Sequence, residues 1–139
     1  MPAMNAPSLP EKERALLVAK AREALGRAYA PYSNFRVGAA VLTEKGTIFS
    51  GVNVENASYG LTVCAERAAV FQAVSQEGPE MRIKALAVIS DQPGFFPPCG
   101  ACRQVIAEFG PDAVIIFQGR DGLEEVSISR LLPSAFSLR

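Results

Sequence analysis

Three cysteines are the residues of this sequence best suited to chemistry, and the chain contains no histidine. Cys64 stands two residues before Glu66, and Cys99 and Cys102 form a CxxC pair that directly follows a proline. Cysteine thiolates are preferred zinc ligands, and a catalytic zinc has three protein ligands and one open position. The residue types and their spacing therefore predict one zinc site built from these three cysteines.

Two charged residues follow the first cysteine at once. On a helix that begins at Cys64, the carboxylate of Glu66 would lie beside the metal without facing it as a ligand. Such a carboxylate can take a proton from water at the metal and return it to a substrate nitrogen. Arg67 would project from the same helix face as Cys64, where its guanidinium can donate to the ligand sulfurs and offset their negative charge.

The cysteines also admit other interpretations. Buried cysteines commonly pack as small hydrophobic residues, and a lone CxxC could be a redox pair in which Cys64 takes no part. A non-catalytic zinc module is a third possibility, with a carboxylate such as Glu66 as the fourth ligand. We favour a catalytic zinc, because Cys-x-Glu followed by Pro-Cys-x-x-Cys is the pattern of the zinc deaminases.

Length and charge restrict the classes of protein. A chain of 139 residues predicts a single domain over residues 1–139, with residues 1–8 as a flexible N-terminal tail. The net charge is zero and no basic run occurs, so a nucleic-acid partner is disfavoured. No leader and no apolar stretch of membrane-spanning length is evident, and three cysteines at metal-like spacing do not suggest disulfides. We therefore expect a cytoplasmic protein without a membrane partner.

Periodicity and turn residues predict the element order αββαβαββ, followed by a short helical turn near the C-terminus. The first helix is expected to begin at a capping box at residues 8–11. Small residues at 38–40 should let a helix pack closely on the first strand, and the helix carrying Cys64 is the natural candidate. The other predicted helices span residues 64–76 and 99–109, and the predicted strands span 36–42, 47–54, 83–89, 113–117 and 126–128.

This order indicates a three-layer α/β/α domain around a mixed five-stranded sheet. The two cysteine segments fall at the starts of the two crossover helices, where open α/β sheets bind their ligands.

Several segments, in order along the chain, carry a family resemblance. They are residues 30–40 (APYSNFRVGAA), 51–59 (GVNVENASY), 64–67 (CAER), 98–104 (PCGACRQ) and 131–133 (LLP) with Phe136. Together they resemble the small homotetrameric cytidine deaminases, over nearly the whole chain from about Glu11. The resemblance implies a three-layer deaminase domain in which one Zn²⁺ per subunit is bound by Cys64, Cys99 and Cys102.

The resemblance implies hydrolytic deamination of cytidine and 2′-deoxycytidine to the uridines, with release of ammonia, as in pyrimidine salvage. Water activated at the zinc would attack C4, while Glu66 would protonate N3 and then the departing ammonia. The substrate would be a small nucleoside, and nucleosides should be preferred over nucleotides because a carboxylate at the ribose repels phosphate.

The resemblance also assigns the substrate contacts. Asn53 and Glu55 would hold the ribose 3′-hydroxyl, and the main chain at Ala65 would meet the O2 edge of the pyrimidine. Phe35 would lie against the base, Tyr59 would belong to the binding site, and Phe136 would close the pocket of a neighbouring subunit. Without the resemblance, the same residues would be interpreted as turn residues, a solvated charge and packing aromatics.

Two related activities compete with this interpretation. The blasticidin-S deaminases share the three-cysteine site and the glutamate, but the intact segment at residues 53–59 resembles the cytidine enzymes instead. Polynucleotide deamination is disfavoured by the missing basic surface.

Overall fold

The computed structural model describes residues 8–138, and its five strands form one mixed sheet in the order β2-β1-β3-β4-β5. β3 and β4 are parallel, and the other neighbouring strands are antiparallel. The strands are β1 (Val37–Thr43), β2 (Ile48–Val52), β3 (Ile83–Ser90), β4 (Val114–Gln118) and β5 (Leu123–Ser127). The predicted α/β class and mixed five-stranded sheet are confirmed.

Within the described residues, four α-helices accompany the sheet: α1 (Glu11–Ala24), α2 (Ala65–Glu77), α3 (Gly100–Phe109) and α4 (Ile128–Leu131). Short 3₁₀ turns occupy Leu25–Arg27 and Tyr59–Leu61. None of the helices within residues 8–138 combines the length and the apolar character needed to cross a bilayer. The predicted flexible tail falls almost entirely on residues 1–7, which lie outside the described part of the chain, so it stays a prediction.

The strands alternate their side chains between two apolar clusters, one on each face of the sheet. In β1, Ala39 and Val41 join the cluster that contains residues of α2 and α3, whereas Ala40 and Leu42 join the cluster that contains Leu17 of α1. The helices are thus divided into one layer with α1 and another with α2 and α3. This is the predicted three-layer arrangement.

The first helix begins differently from the prediction. α1 has Pro10 at its N-cap and no side-chain cap, so the predicted capping box is wrong. A distant carboxylate holds the helix start instead: Glu125 on β5 accepts hydrogen bonds from the Leu9 N–H at 3.0 Å and from Arg14 Nε at 2.9 Å. The sequence pattern could not reveal this contact because its partners lie more than a hundred residues apart.

Two glycines allow the helices to approach the sheet closely. A Cβ atom on Gly38 of β1 would lie 2.1 Å from the Ala21 carbonyl oxygen, so this glycine accommodates α1. A Cβ atom on Gly51 of β2 would lie 2.4 Å from the Ala69 nitrogen and 2.8 Å from the Ala65 carbonyl oxygen. The helix that follows Cys64 is therefore seated on Gly51. The predicted approach of this helix to the small residues at 38–40 is confirmed at Ala39, which shares an apolar cluster with α2, whereas Gly38 faces α1.

We expect Gly51→Ala to lower the free energy of unfolding by about 1–3 kcal/mol, because the added methyl group would force backbone atoms of α2 apart from β2. Gly26→Ala is the matched control, since no atom lies within 4 Å of its Cβ position. Denaturant unfolding of both variants measures the difference. Equal stabilities would show that α2 tolerates displacement from Gly51.

Candidate active site

The three cysteines meet because two helices begin at the same edge of the sheet. β2 and β3 run in the same direction, since each is antiparallel to β1, and α2 and α3 begin after their carboxyl ends. Cys64 is the N-cap of α2, Cys99 is the N-cap of α3, and Cys102 lies in the first turn of α3. Their sulfur atoms all lie within 4.8 Å of one another.

This donor set fits zinc. Zn–S bonds of about 2.3 Å in a tetrahedral site place sulfurs about 3.8 Å apart, close to the observed spacing, and soft thiolates favour zinc over magnesium or calcium. Within residues 8–138, no other side chain joins this group of candidate ligands. Glu66 is not among them, which favours a three-thiol ligand set over a structural zinc closed by that carboxylate.

Arg67 lies beside the thiols, as its position on the helix predicts. Its Nη2 is 3.5 Å from Cys64 Sγ. Hydrogen bonds from the Cys102 thiol and from Arg67 hold the pKa of Cys64 well below its usual range, while the same contact with Cys64, together with burial, raises the pKa of Cys102. Cys64 is therefore the first of this pair to ionise, and the guanidinium stabilises its thiolate.

Glu66 is the buried acid of the site. It lies in the first turn of α2 and is only 4% exposed. Burial, with a smaller contribution from the charge of Cys64, raises the pKa of Glu66 to about 7. A bound cation would counter the charge of Cys64 but not the burial. A carboxyl group with a pKa near neutrality can both accept and donate a proton under physiological conditions.

A cleft of about 260 Å³ opens beside Glu66 and is bordered by Cys64 and Cys99. Of the six predicted substrate-binding residues, three line it, namely Phe35, Asn53 and Ala65. Further lining residues that the sequence analysis did not identify are Ser33, Val37, Thr62, Val63, Phe96 and Pro97. Four of these directly precede the cysteine segments, at residues 62–63 and 96–97. Their closeness in sequence to a predicted zinc ligand was the signal that could have identified them.

Asn53 holds the segment that carries Phe35 through two side-chain hydrogen bonds. Its Oδ1 accepts the Val37 N–H at 2.9 Å, and its Nδ2 donates to the Phe35 carbonyl oxygen at 2.8 Å. A side-chain amide has two N–H bonds, so one donor remains for a ligand. The Asn53 side chain therefore lines the cleft and also holds the segment of Phe35 in place.

Glu55 and Tyr59 line an adjoining pocket rather than the cleft itself, and Ser33 and Thr62 border both. The Glu55 carboxylate accepts the Tyr32 N–H at 2.9 Å, the Ser33 N–H at 3.2 Å and the Ser33 hydroxyl. These bonds, the hydroxyl first, lower the pKa of Glu55. Glu55 is thus a charged group that organises the loop before Phe35, and Tyr59 is largely exposed beside it.

Phe136 does not lie at the cleft of its own chain. It is 69% exposed and borders a separate pocket formed with residues of α3 and α4. Both side-chain amide atoms of Gln104 bind its backbone, with Oε1 accepting the Phe136 N–H at 3.2 Å and Nε2 donating to its carbonyl oxygen at 3.0 Å. A substrate contact from Phe136 would require a second copy of the chain.

We expect Arg67→Gln to weaken zinc binding about tenfold to a hundredfold, because it removes the positive charge that supports the ligand thiolates. Competition with a chromophoric chelator measures the affinity, and Arg22→Gln, an exposed position on α1, is the matched control. Equal zinc affinities for the two variants would contradict a supporting role for Arg67.

Comparison with known proteins gives consistent results. Residues 11–118 match the family model "Cytidine and deoxycytidylate deaminase zinc-binding region". The chain is 51% identical to a cytidine deaminase from Sporosarcina psychrophila over 87% of this chain and 89% of the relative, and 46% identical to one from Halalkalibacterium halodurans over 90% and 95%. The crystal structure of cytidine deaminase from Burkholderia pseudomallei superposes with a TM-score of 0.80 at 46% identity, covering 88% of this chain and 98% of that one. The chain therefore belongs to the cytidine and deoxycytidylate deaminase family.

Proposed function

We infer that this chain catalyses the zinc-dependent hydrolytic deamination of cytidine and 2′-deoxycytidine to uridine and 2′-deoxyuridine, with release of ammonia. The observation that carries the inference is a cluster of three thiols, two of which border the same cleft as a buried carboxyl group, in a chain of this family. A hydrolytic deaminase needs both components, a metal-activated water and a group that moves its proton.

Zinc, when bound by Cys64, Cys99 and Cys102, supplies Lewis-acid activation of a water molecule. We assign the proton transfers to Glu66, whose carboxyl group borders the cleft beside the thiols. It takes a proton from the water that adds to C4 and passes it to N3 of the pyrimidine. It then takes the remaining proton from the new C4 hydroxyl and delivers it to the amino group, so that the C4 carbonyl forms as ammonia leaves and the net reaction consumes one water.

The remaining contacts follow from the cleft and the adjoining pocket. Phe35 packs against the base, and the main chain at Ala65 faces its polar edge. The free N–H of Asn53 and the unfilled lone pair of Glu55 are suited to ribose hydroxyls, with Tyr59 beside them. The negative charge of Glu55 favours a nucleoside over a nucleotide, because it repels a phosphate group.

We also propose that the chain works as a homotetramer in which Phe136 closes the pocket of a neighbouring subunit. Several large apolar side chains are exposed on the single chain, and exposed apolar surface commonly marks an interaction site. They include Tyr59, Leu61, Phe136 and Leu138.

A reducing compartment such as the cytoplasm suits this site. The three cysteines are free thiols, and zinc binding requires them as thiolates rather than disulfides.

We expect Glu66→Gln to lower kcat for cytidine by at least about a hundredfold, because the amide keeps the shape of the side chain but cannot transfer the proton. Spectrophotometric conversion of cytidine to uridine measures the effect in zinc-loaded protein. Zinc content should be unchanged, since the thiols remain, and Glu80→Gln at an exposed position is the control.

Two results would be decisive against the assignment. If zinc-loaded wild-type protein leaves cytidine and 2′-deoxycytidine unchanged, the proposed function is wrong, and turnover of blasticidin S in the same assay would identify the related activity instead. If Glu66→Gln retains full activity, another group transfers the proton.

Multi-angle light scattering at assay concentration should give a mass four times that of one chain. Phe136→Ala should keep this mass and raise KM for cytidine, because the side chain that closes the neighbouring pocket is lost. A fully active monomer would contradict the proposed assembly, and an unchanged KM in a stable tetramer would contradict the role of Phe136.

A further inference from the structure

A pair of aromatic rings forms one apolar wall of the cleft. The ring centroids of Phe35 and Phe96 lie 4.8 Å apart, and both side chains pack against the main apolar cluster of the sheet. Phe96 stands three residues before Cys99 and lines the cleft with it. One ring of this aromatic wall, Phe96, is therefore carried by the same loop that delivers a thiol to the three-cysteine cluster.

Gln118 at the end of β4 holds this loop in place. Its carbonyl oxygen accepts the Phe96 N–H at 2.8 Å. Its side chain accepts the Ser90 N–H at 2.7 Å and donates to the Gln92 carbonyl oxygen at 2.9 Å. Gln118 thus binds the loop at Gln92 and Phe96 and the end of β3 at Ser90. Because the ring also packs against the interior, Phe96 has little freedom to make room for a larger ligand.

The chemistry of the substrate indicates which part of it meets this wall. In the proposed reaction, C4 must lie at the thiol cluster and N3 must face Glu66. The opposite neighbour of C4 is C5, and the C5–C6 edge is the apolar edge of a pyrimidine. An apolar edge is best placed against an apolar surface, and the aromatic wall is an apolar surface whose Phe96 lies three residues from Cys99.

We propose that Phe96 is a specificity-determining residue that limits the space beside C5 and disfavours cytidines with a C5 substituent. This inference rests on the proposed function and extends it to the choice among pyrimidine nucleosides. Phe96 acts here by shape, since its ring transfers no proton and binds no metal.

The neighbouring residue provides a matched control. Phe95 belongs to the same loop, but its ring packs edge-on against Phe117, with 6.2 Å between the ring centroids. The Cζ atom of Arg120 lies 4.5 Å from the centroid of the Phe95 ring. It is not among the residues that line the cleft. Truncating Phe95 therefore removes an aromatic ring from the same loop without changing the space in the cleft.

The test compares kcat/KM for 5-methylcytidine with kcat/KM for cytidine in zinc-loaded wild-type protein and in three variants. Phe96→Val should raise the ratio about tenfold, the scale on which one methyl group is discriminated in an apolar pocket. Phe96→Leu, a milder truncation, should give an intermediate ratio, and Phe95→Val should leave the ratio unchanged. Circular dichroism verifies that each variant is folded.

The outcomes separate this inference from the proposed function. If wild-type protein does not deaminate cytidine, the proposed function fails and the inference fails with it. If wild-type protein deaminates cytidine but neither Phe96 variant changes the ratio, the inference alone is overturned. A change of the same size in Phe95→Val would also overturn it, because the effect would then come from the loop and not from the cleft.

Discussion

The contact between helix α2 and Gly51 is the constraint on which the active site depends. The first turn of α2 carries Cys64, Glu66 and Arg67, and Gly51 on β2 lets this turn lie directly on the sheet. Any side chain at that position would lift the helix and move a thiol, a carboxyl group and a guanidinium together. A site that needs reacting groups placed to within a fraction of an ångström is therefore positioned by direct backbone contact between a helix and the sheet.

The surroundings shift the pKa values of two carboxyl groups of the site in opposite directions. Burial beside the thiols raises the pKa of Glu66, which suits a group that accepts and releases a proton. Hydrogen bonds from Ser33 and its neighbours lower the pKa of Glu55, which stays charged and holds a loop. The raised pKa suits the proton-transfer role proposed for Glu66, and the lowered pKa suits the binding role proposed for Glu55. Other active sites with two acidic residues divide their roles in the same way.

Polar side chains from elsewhere in the chain hold the loops that carry aromatic residues. In each case a side-chain amide bonds to loop backbone, which satisfies groups that have no strand or helix partner. The pairs are Asn53 with the segment of Phe35, Gln118 with the loop of Phe96 and Gln104 with the backbone of Phe136. Irregular segments thereby gain a defined shape, which loops that line a substrate pocket require.

The sequence by itself determined the candidate residues: residue types at short spacing predicted Cys64, Cys99 and Cys102 as zinc ligands and Glu66 as the proposed proton-transfer group, because the residues of each cysteine segment lie within one helical turn. It also determined the sheet and its helices, whose periodicity is a local property. Only the tertiary structure decided that Glu125 rather than a capping box holds α1, that Gly51 seats α2, and that Phe96 shares a wall with Phe35. These contacts join residues far apart in the chain, and no local pattern records which distant surfaces will meet when the layers pack.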